Sequence, residues 1–200
     1  MNTEGYIKFQ AHWTPSPPFP SDTLAELNAW RQRCYEKGWI GALPDGIGFG
    51  NISQRKGKGE MFFISGSATG NVPCTNAAHY ALVERVHAQQ NELWCSGPVI
   101  ASSESMSHAA VYACRPEAQA VIHIHHRPMW TFLLAKGLAT DPQAAYGSTE
   151  MVLAIADLLG RWPDGPPHAF AMAGHEEGII AFGSSLEKAF RSLEQIAQPH

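Results

Sequence analysis

The sequence predicts an α/β domain of three layers, α/β/α, around a central sheet that is mostly antiparallel or mixed. Three observations predict it. Segments with a three-to-four-residue apolar period alternate with short β-branched and aromatic runs, in the order helix, strands, helix, strand, helix, helix, strands, helix. Glycine-containing turns join neighbouring strands at hairpin spacing. The 200 residues are 44% hydrophobic and 16% charged, enough for one real core, and no repeat, low-complexity tract or linker divides them.

Residues 1–20 read as an irregular N-terminal arm, because residues 14–20 hold four prolines and cannot be helical; residues 21–200 read as the domain. Ser21 or Asp22 is expected to cap a helix in which Leu24, Leu27, Trp30 and Cys34 recur at three- and four-residue steps until Gly38 stops it. Residues 47–55 and 61–65 read as strands joined by the turn Lys56-Gly57-Lys58-Gly59, and residues 80–86 and 93–96 as a second hairpin turning through 88–91. A helix over 104–114 ends before Pro116, a β-branched strand covers 120–125, and a helix over 129–136 ends at Gly137. Ser148 caps an amphipathic helix with Val152, Ile155, Ala156 and Leu159 as its inner stripe. Residues 168–173 and 178–183 read as a last strand pair, and Ser184 or Ser185 caps a closing helix carrying Leu186, Phe190, Leu193 and Ile196.

The net charge of -4 and the lack of any lysine/arginine cluster exclude a nucleic-acid stripe. Cys34, Cys74, Cys95 and Cys114 form no CxxC pair, so they read as reduced, mostly buried thiols of a cytoplasmic protein. The N-terminus lacks the basic flank and apolar run of a signal peptide, and no apolar stretch is long enough to cross a bilayer.

The most informative run is Val121-Ile122-His123-Ile124-His125-His126. Side chains on a strand alternate faces, so His123 and His125 project together and His126 points away or lies past the strand end. Neutral imidazoles at that spacing suit one metal ion, with a third ligand from elsewhere and one position left open. His175, after Ala173-Gly174 and just before a turn, is well placed to be that ligand. By itself the pair is more often the mark of satisfied core or surface histidines, which is the reading for His12, His79, His87, His108, His168 and His200.

The text around this run resembles the class II aldolase/adducin family. Arg115-Pro116 followed by a strand that delivers His123-Ile124-His125 resembles its zinc segment. Gly50-Asn51-Ile52-Ser53-Gln54-Arg55 matches GNxSxR, Ser65 to Gly70 resembles its TG turn, and Ser102-Ser103-Glu104 matches SSE. Tyr146-Gly147-Ser148-Thr149-Glu150 resembles its aromatic-Gly-Ser/Thr helix start, and Gly174-His175 through Phe182-Gly183 its third-ligand segment. These motifs stand in family order over about residues 24–195.

The resemblance implies a zinc site (manganese or cobalt being alternatives) held by His123, His125 and His175, with Glu104 as the acid/base that works on an enediolate. It implies a phosphate or substrate site drawn from Gly50, Asn51, Thr69, Gly70, Ser102, Ser103 and Tyr146. Taken without the family, Glu104 is ordinary helix-start chemistry and the glycines are turn residues. The implied activity is a lyase on a small phosphorylated hydroxycarbonyl compound, in a cytoplasmic homotetramer with sites at subunit interfaces. A dehydratase or epimerase uses the same chemistry, and adducin-type relatives keep the fold as an interaction module without the metal ligands.

The chain departs from the family pattern in two places. The stretch between His126 and Tyr146 is shorter than in the sugar-phosphate aldolases and contains Trp130 but no tyrosine, where the family supplies a phenol across a subunit boundary. The tail, residues 195–200, also lacks a tyrosine. Glu176-Glu177 directly after His175 reads as a solvated surface pair.

Overall fold

A computed structural model of the protein describes residues 7–162 and 168–197. In chain order the elements are β1 (Gln10–Pro15), α1 (Ala25–Glu36), β2 (Gly41–Ala42), β3 (Gly48–Phe49), β4 (Asn51–Arg55), β5 (Phe62–Ser65), β6 (Tyr80–His87), β7 (Glu92–Gly97), α2 (Ser105–Cys114), β8 (Ala120–His125), α3 (Arg127–Ala135), α4 (Thr149–Gly160), β9 (Ala169–Ala171), β10 (Gly178–Gly183) and α5 (Leu186–Ala197). His200 lies outside the described residues.

Eight of the strands form one sheet in the order β1-β7-β6-β5-β4-β8-β10-β9. The β1–β7 pair is parallel and the other ladders are antiparallel, so the sheet is mixed. Period-two alternation builds the three layers. Phe62, Ile64, Val121, Ile180 and Phe182 face a core closed by α2 and α4 through Met106, Ala110, Met151 and Ile155. Phe63, Ile122, Ile124, Ile179 and Ala181 face a second core closed by α1, α3 and α5 through Leu27, Met129, Leu133, Phe190 and Leu193. Each valine, leucine, isoleucine, phenylalanine and methionine among them contributes about 1.5–3 kcal/mol by leaving water.

Two helix starts follow local chemistry as expected. Ser148 Oγ accepts from Met151 N at 3.2 Å at the start of α4, and Ser185 Oγ accepts from Lys188 N at 3.2 Å at the start of α5. At α1 the expected cap is not used. Leu24 occupies the cap position, and the first amides bond to Pro20, Ser21 and Asp22 carbonyls in successive turns, while Asp22 Oδ1 accepts from Thr23 N.

Three other expectations are corrected. Part of the arm is a strand: β1 lies at the sheet edge, where proline is tolerated, and Trp13 Nε1 anchors it to Gly97 O at 3.0 Å. The inner stripe of α4 is Met151, Ile155, Leu158 and Leu159, with Val152 and Ala156 half-buried; docking against α2 turns the apolar arc toward the former set. Strand β9 ends at Ala171, so His175 belongs to the β9–β10 turn itself. Cys34 and Cys95 are buried, Cys114 is half-buried, and Cys74 is exposed.

Candidate metal centre

Strand β8 places His123 and His125 on the face that also carries Val121, while Ile122 and Ile124 anchor the strand in the opposite core. The neighbouring ladders bring the rest. Asn51 pairs with His123 across β4–β8, and Gly178 pairs with His125 across β8–β10. The β9–β10 turn closes through Met172 N to Gly178 O at 2.8 Å, His175 N to Met172 O at 2.9 Å and Gly178 N to His175 O at 2.9 Å. This turn swings the His175 ring over β8. It needs glycine twice: a Cβ on Gly174 would overlap the Ala144 carbonyl, and one on Gly178 would lie 2.9 Å from His175 Nδ1.

The result is a buried triad. One ring nitrogen from each of His123, His125 and His175 lies within 4.8 Å of the others, and the three residues could hold a metal ion. Ring centroids are 5.2, 5.1 and 4.7 Å apart for the pairs 123/125, 123/175 and 125/175. His123 Nδ1 lies 3.1 Å from Ile179 O. A carbonyl only accepts, so Nδ1 carries the proton and the lone pair sits on Nε2. That Nε2 is buried and has no hydrogen-bond partner among the described residues. Burial, then His175 and His108, holds the His123 pKa well below the usual imidazole range. A neutral imidazole with a buried lone pair is what a metal site requires, so the donor set fits the ion.

Glu104 is the cap residue of α2 and is buried. Its Oε1 lies 3.7 Å from His175 Nδ1, and its Oε2 accepts a 2.8 Å hydrogen bond from Ser107 Oγ. Ser102 Oγ accepts from the Glu104 amide at 3.3 Å. Ser107, on the same helix, thus helps to hold the carboxylate beside the triad.

The segments expected to bind an anion also meet. Ser67 N donates to Ile100 O at 2.9 Å and Gly66 bridges Ala101, which joins the turn over residues 66–70 to the stretch leading into Ser102 and Ser103. Gly70 packs so closely on β3 that a Cβ would lie 2.8 Å from Phe49 N. Gly50 takes a positive φ of 75°, and its absent side chain leaves room for Ile40. Asn51 Oδ1 is buried with no hydrogen-bond partner among the described residues. Thr69 Oγ1 donates to Gly66 O at 2.8 Å and braces the turn. Ser102 and Ser103 are buried immediately before Glu104. Tyr146 lies on the metal side, its ring stacked on His175 at 4.7 Å with a 29° interplanar angle.

Several residues that shape this region were missed in the sequence. Ser107 stands three residues after Glu104, a helical spacing that could have identified it. Phe49 stacks on His125 at 5.0 Å, and Lys8 Nζ sits 3.7 Å from the Tyr146 ring centroid; no local pattern marks either. His108 is a core histidine as expected, with Nδ1 2.7 Å from Ser53 Oγ, which also lies 2.9 Å from Tyr112 OH. His126 falls past the end of β8, where its Nδ1 accepts from Met129 N. Glu176 and Glu177 are at the surface, and both bind Arg127, at 2.6 and 2.8 Å.

Comparison with known proteins agrees with this architecture. An L-fuculose 1-phosphate aldolase superimposes with a TM-score of 0.66 at 20% identity, covering 90% of this chain and 85% of that one. A sugar-phosphate aldolase from Thermotoga maritima gives 0.66 at 16% identity, covering 88% and 90%. The L-fuculose-1-phosphate aldolase of Thermus thermophilus gives 0.56 at 21% identity, covering 90% and 100%. At these identities the likeness is one of fold. No curated protein matches the sequence. The family model described as the class II aldolase and adducin N-terminal domain matches residues 25–198, and the chain belongs to that family.

Proposed function

We propose that the protein is a metal-dependent, class II aldolase-like lyase acting on a small phosphorylated hydroxycarbonyl compound, a sugar phosphate. The observation that carries this reading is the convergence of His123, His125 and His175 beside the buried carboxylate of Glu104. Zinc, or manganese or cobalt in its place, would supply Lewis-acid polarisation of a substrate carbonyl.

The chain's own residues do the remaining work. In the synthetic direction Glu104 takes a proton from the carbon α to the carbonyl, leaving an enediolate that attacks an aldehyde; cleavage is the reverse. Ser107 holds Oε2, so Oε1, on the His175 side, is the oxygen that carries the proton. Gly50, Asn51, Thr69, Gly70, Ser102 and Ser103 hold the phosphate through backbone N–H groups, hydroxyls and an amide. Tyr146, flat against His175, forms a wall of the substrate site. The working protein is a homotetramer. Among the described residues no helix is long and apolar enough to cross a membrane.

A second reading, dehydration or epimerisation through the same enediolate, is favoured by residues 127–145, which contain no tyrosine to serve as the proton donor of the aldol step. A metal assay coupled to a sugar-phosphate screen decides. Aldehyde release with stoichiometric metal supports the lyase, and loss of water or inversion without aldehyde supports the second reading. Protein that neither carries nor takes up a divalent metal would be a non-catalytic interaction domain instead.

A further inference from the structure

Arg31 projects from α1 and is 1% exposed, among the largest fully buried side chains of the molecule. Its partners are carbonyl oxygens: Nη2 donates to Thr69 O at 2.8 Å and Gly70 O at 3.2 Å, and Nη1 donates to Pro73 O at 3.4 Å. Among the described residues it forms no ion pair. A guanidinium buried without a counter-charge is costly, and the carbonyl dipoles, with the Tyr35 ring centroid 4.8 Å from Cζ, compensate it only in part.

The direction of those dipoles matters. Across a trans peptide the C=O and N–H point opposite ways. With the carbonyls of Thr69 and Gly70 turned down onto Arg31, the N–H groups of Gly70 and Asn71 turn away from it. Among the described residues neither N–H donates a hydrogen bond to the backbone. Both lie over Gly48, where a Cβ would sit 3.1 Å from Gly70 N and 3.3 Å from Asn71 N. A side chain at Gly48 would therefore crowd both amide nitrogens.

We propose that Arg31 is the positioning residue of the anion site: it locks two consecutive peptides with their N–H groups facing the substrate and supplies, from behind the loop, the positive charge that a phosphate needs. This rests on the phosphate reading of Thr69 and Gly70 given above. It gives a positive charge to a phosphate held there through backbone N–H groups and hydroxyls. The guanidinium acts through the polarised peptides and never touches the ligand.

The test is titration of the full-length protein with inorganic phosphate, comparing wild type with Arg31→Met, Arg31→Lys and Gly48→Ala. Arg31→Met should raise the phosphate Kd by about tenfold or more, as expected for a lost charge-assisted anchor. Arg31→Lys, which keeps the charge and loses the fork, should recover part of that affinity. Gly48→Ala, which crowds the donors without touching Arg31, should also weaken phosphate. Wild-type protein that takes up no phosphate would overturn the phosphate reading itself. Phosphate bound equally well by wild type and Arg31→Met would overturn the role of Arg31 alone. If Arg31→Met does not unfold cooperatively, the other two variants decide, and wild-type affinity in both overturns the inference.

Discussion

Glu104 Oε1 lies 3.7 Å from His175 Nδ1, and both side chains are buried. One comes from the start of α2 and the other from the β9–β10 turn, so two separate elements hold the proposed base against a proposed metal ligand. Replacing Glu104 with Gln keeps the shape and the Ser107 contact but removes the base. Glu104→Gln should retain bound metal and lose α-proton exchange of a ketone substrate in heavy water by about 10²–10⁴-fold. Exchange at the wild-type rate would remove Glu104 from its proposed role.

His123 is the most deeply placed member of the triad, at 0% exposure, with its tautomer set by Ile179 O. His123→Ala removes one of the three proposed ligands. Metal affinity should drop by more than the roughly 10–100-fold that accompanies loss of an outer partner. Metal analysis of the purified variant checks this, and wild-type metal content would contradict the assignment.

Gly174 is where the His175 turn passes closest to its neighbours, with Ala144 O occupying the space a Cβ would need. Gly174→Ala should therefore cost about 1–3 kcal/mol and weaken metal binding together with it, because the turn that carries His175 must shift. Gly59→Ala, with open space around it, should stay within about 0.5 kcal/mol of wild type. Urea midpoints of the two variants make the comparison. Equal stability would mean the turn relaxes without strain.

Burial holds the His108 imidazole neutral, its pKa lowered from 6.5 to about 3. The unfolded chain takes a proton near pH 6.5 and the folded chain only near pH 3, so unfolding takes up a proton between those values. The stabilisation is complete above about pH 6.5 and is lost as the pH falls, to an extent on the order of a few kcal/mol. With a chelator present, the Tm of wild type should fall more steeply between about pH 7 and pH 5 than that of His108→Gln, which cannot titrate. His123, also lowered, keeps some slope in both. Parallel profiles would show that His108 does not contribute.

Local chemistry made much of the fold legible in the chain. Strand β8 runs over residues 120–125 as expected because a β-branched run between Pro116 and Pro128 leaves little else, and its period of two puts His123 and His125 on one face wherever the strand lies. Ser148 and Ser185 cap their helices because an N-cap depends on the next three residues alone. His175 and Glu104 were singled out through the ordered motifs of the family, not through spacing, since nothing in their own neighbourhoods separates a ligand from a turn residue.

Tertiary packing set the rest. β1 became a strand because β7 offered a free edge to a segment that its prolines had marked as irregular. The buried arc of α4 was set by α2, not by the helix's own apolar arc. Arg31 belongs to none of the sequence motifs, yet it lies under Thr69 and Gly70. Periodicity and capping are properties of a few consecutive residues, so the elements and the face that carries the HxH pair can be read from the chain alone. Burial, charge compensation and the meeting of His175 with Glu104 depend on which surfaces dock across long stretches of chain, and those contacts exist only once the fold has assembled.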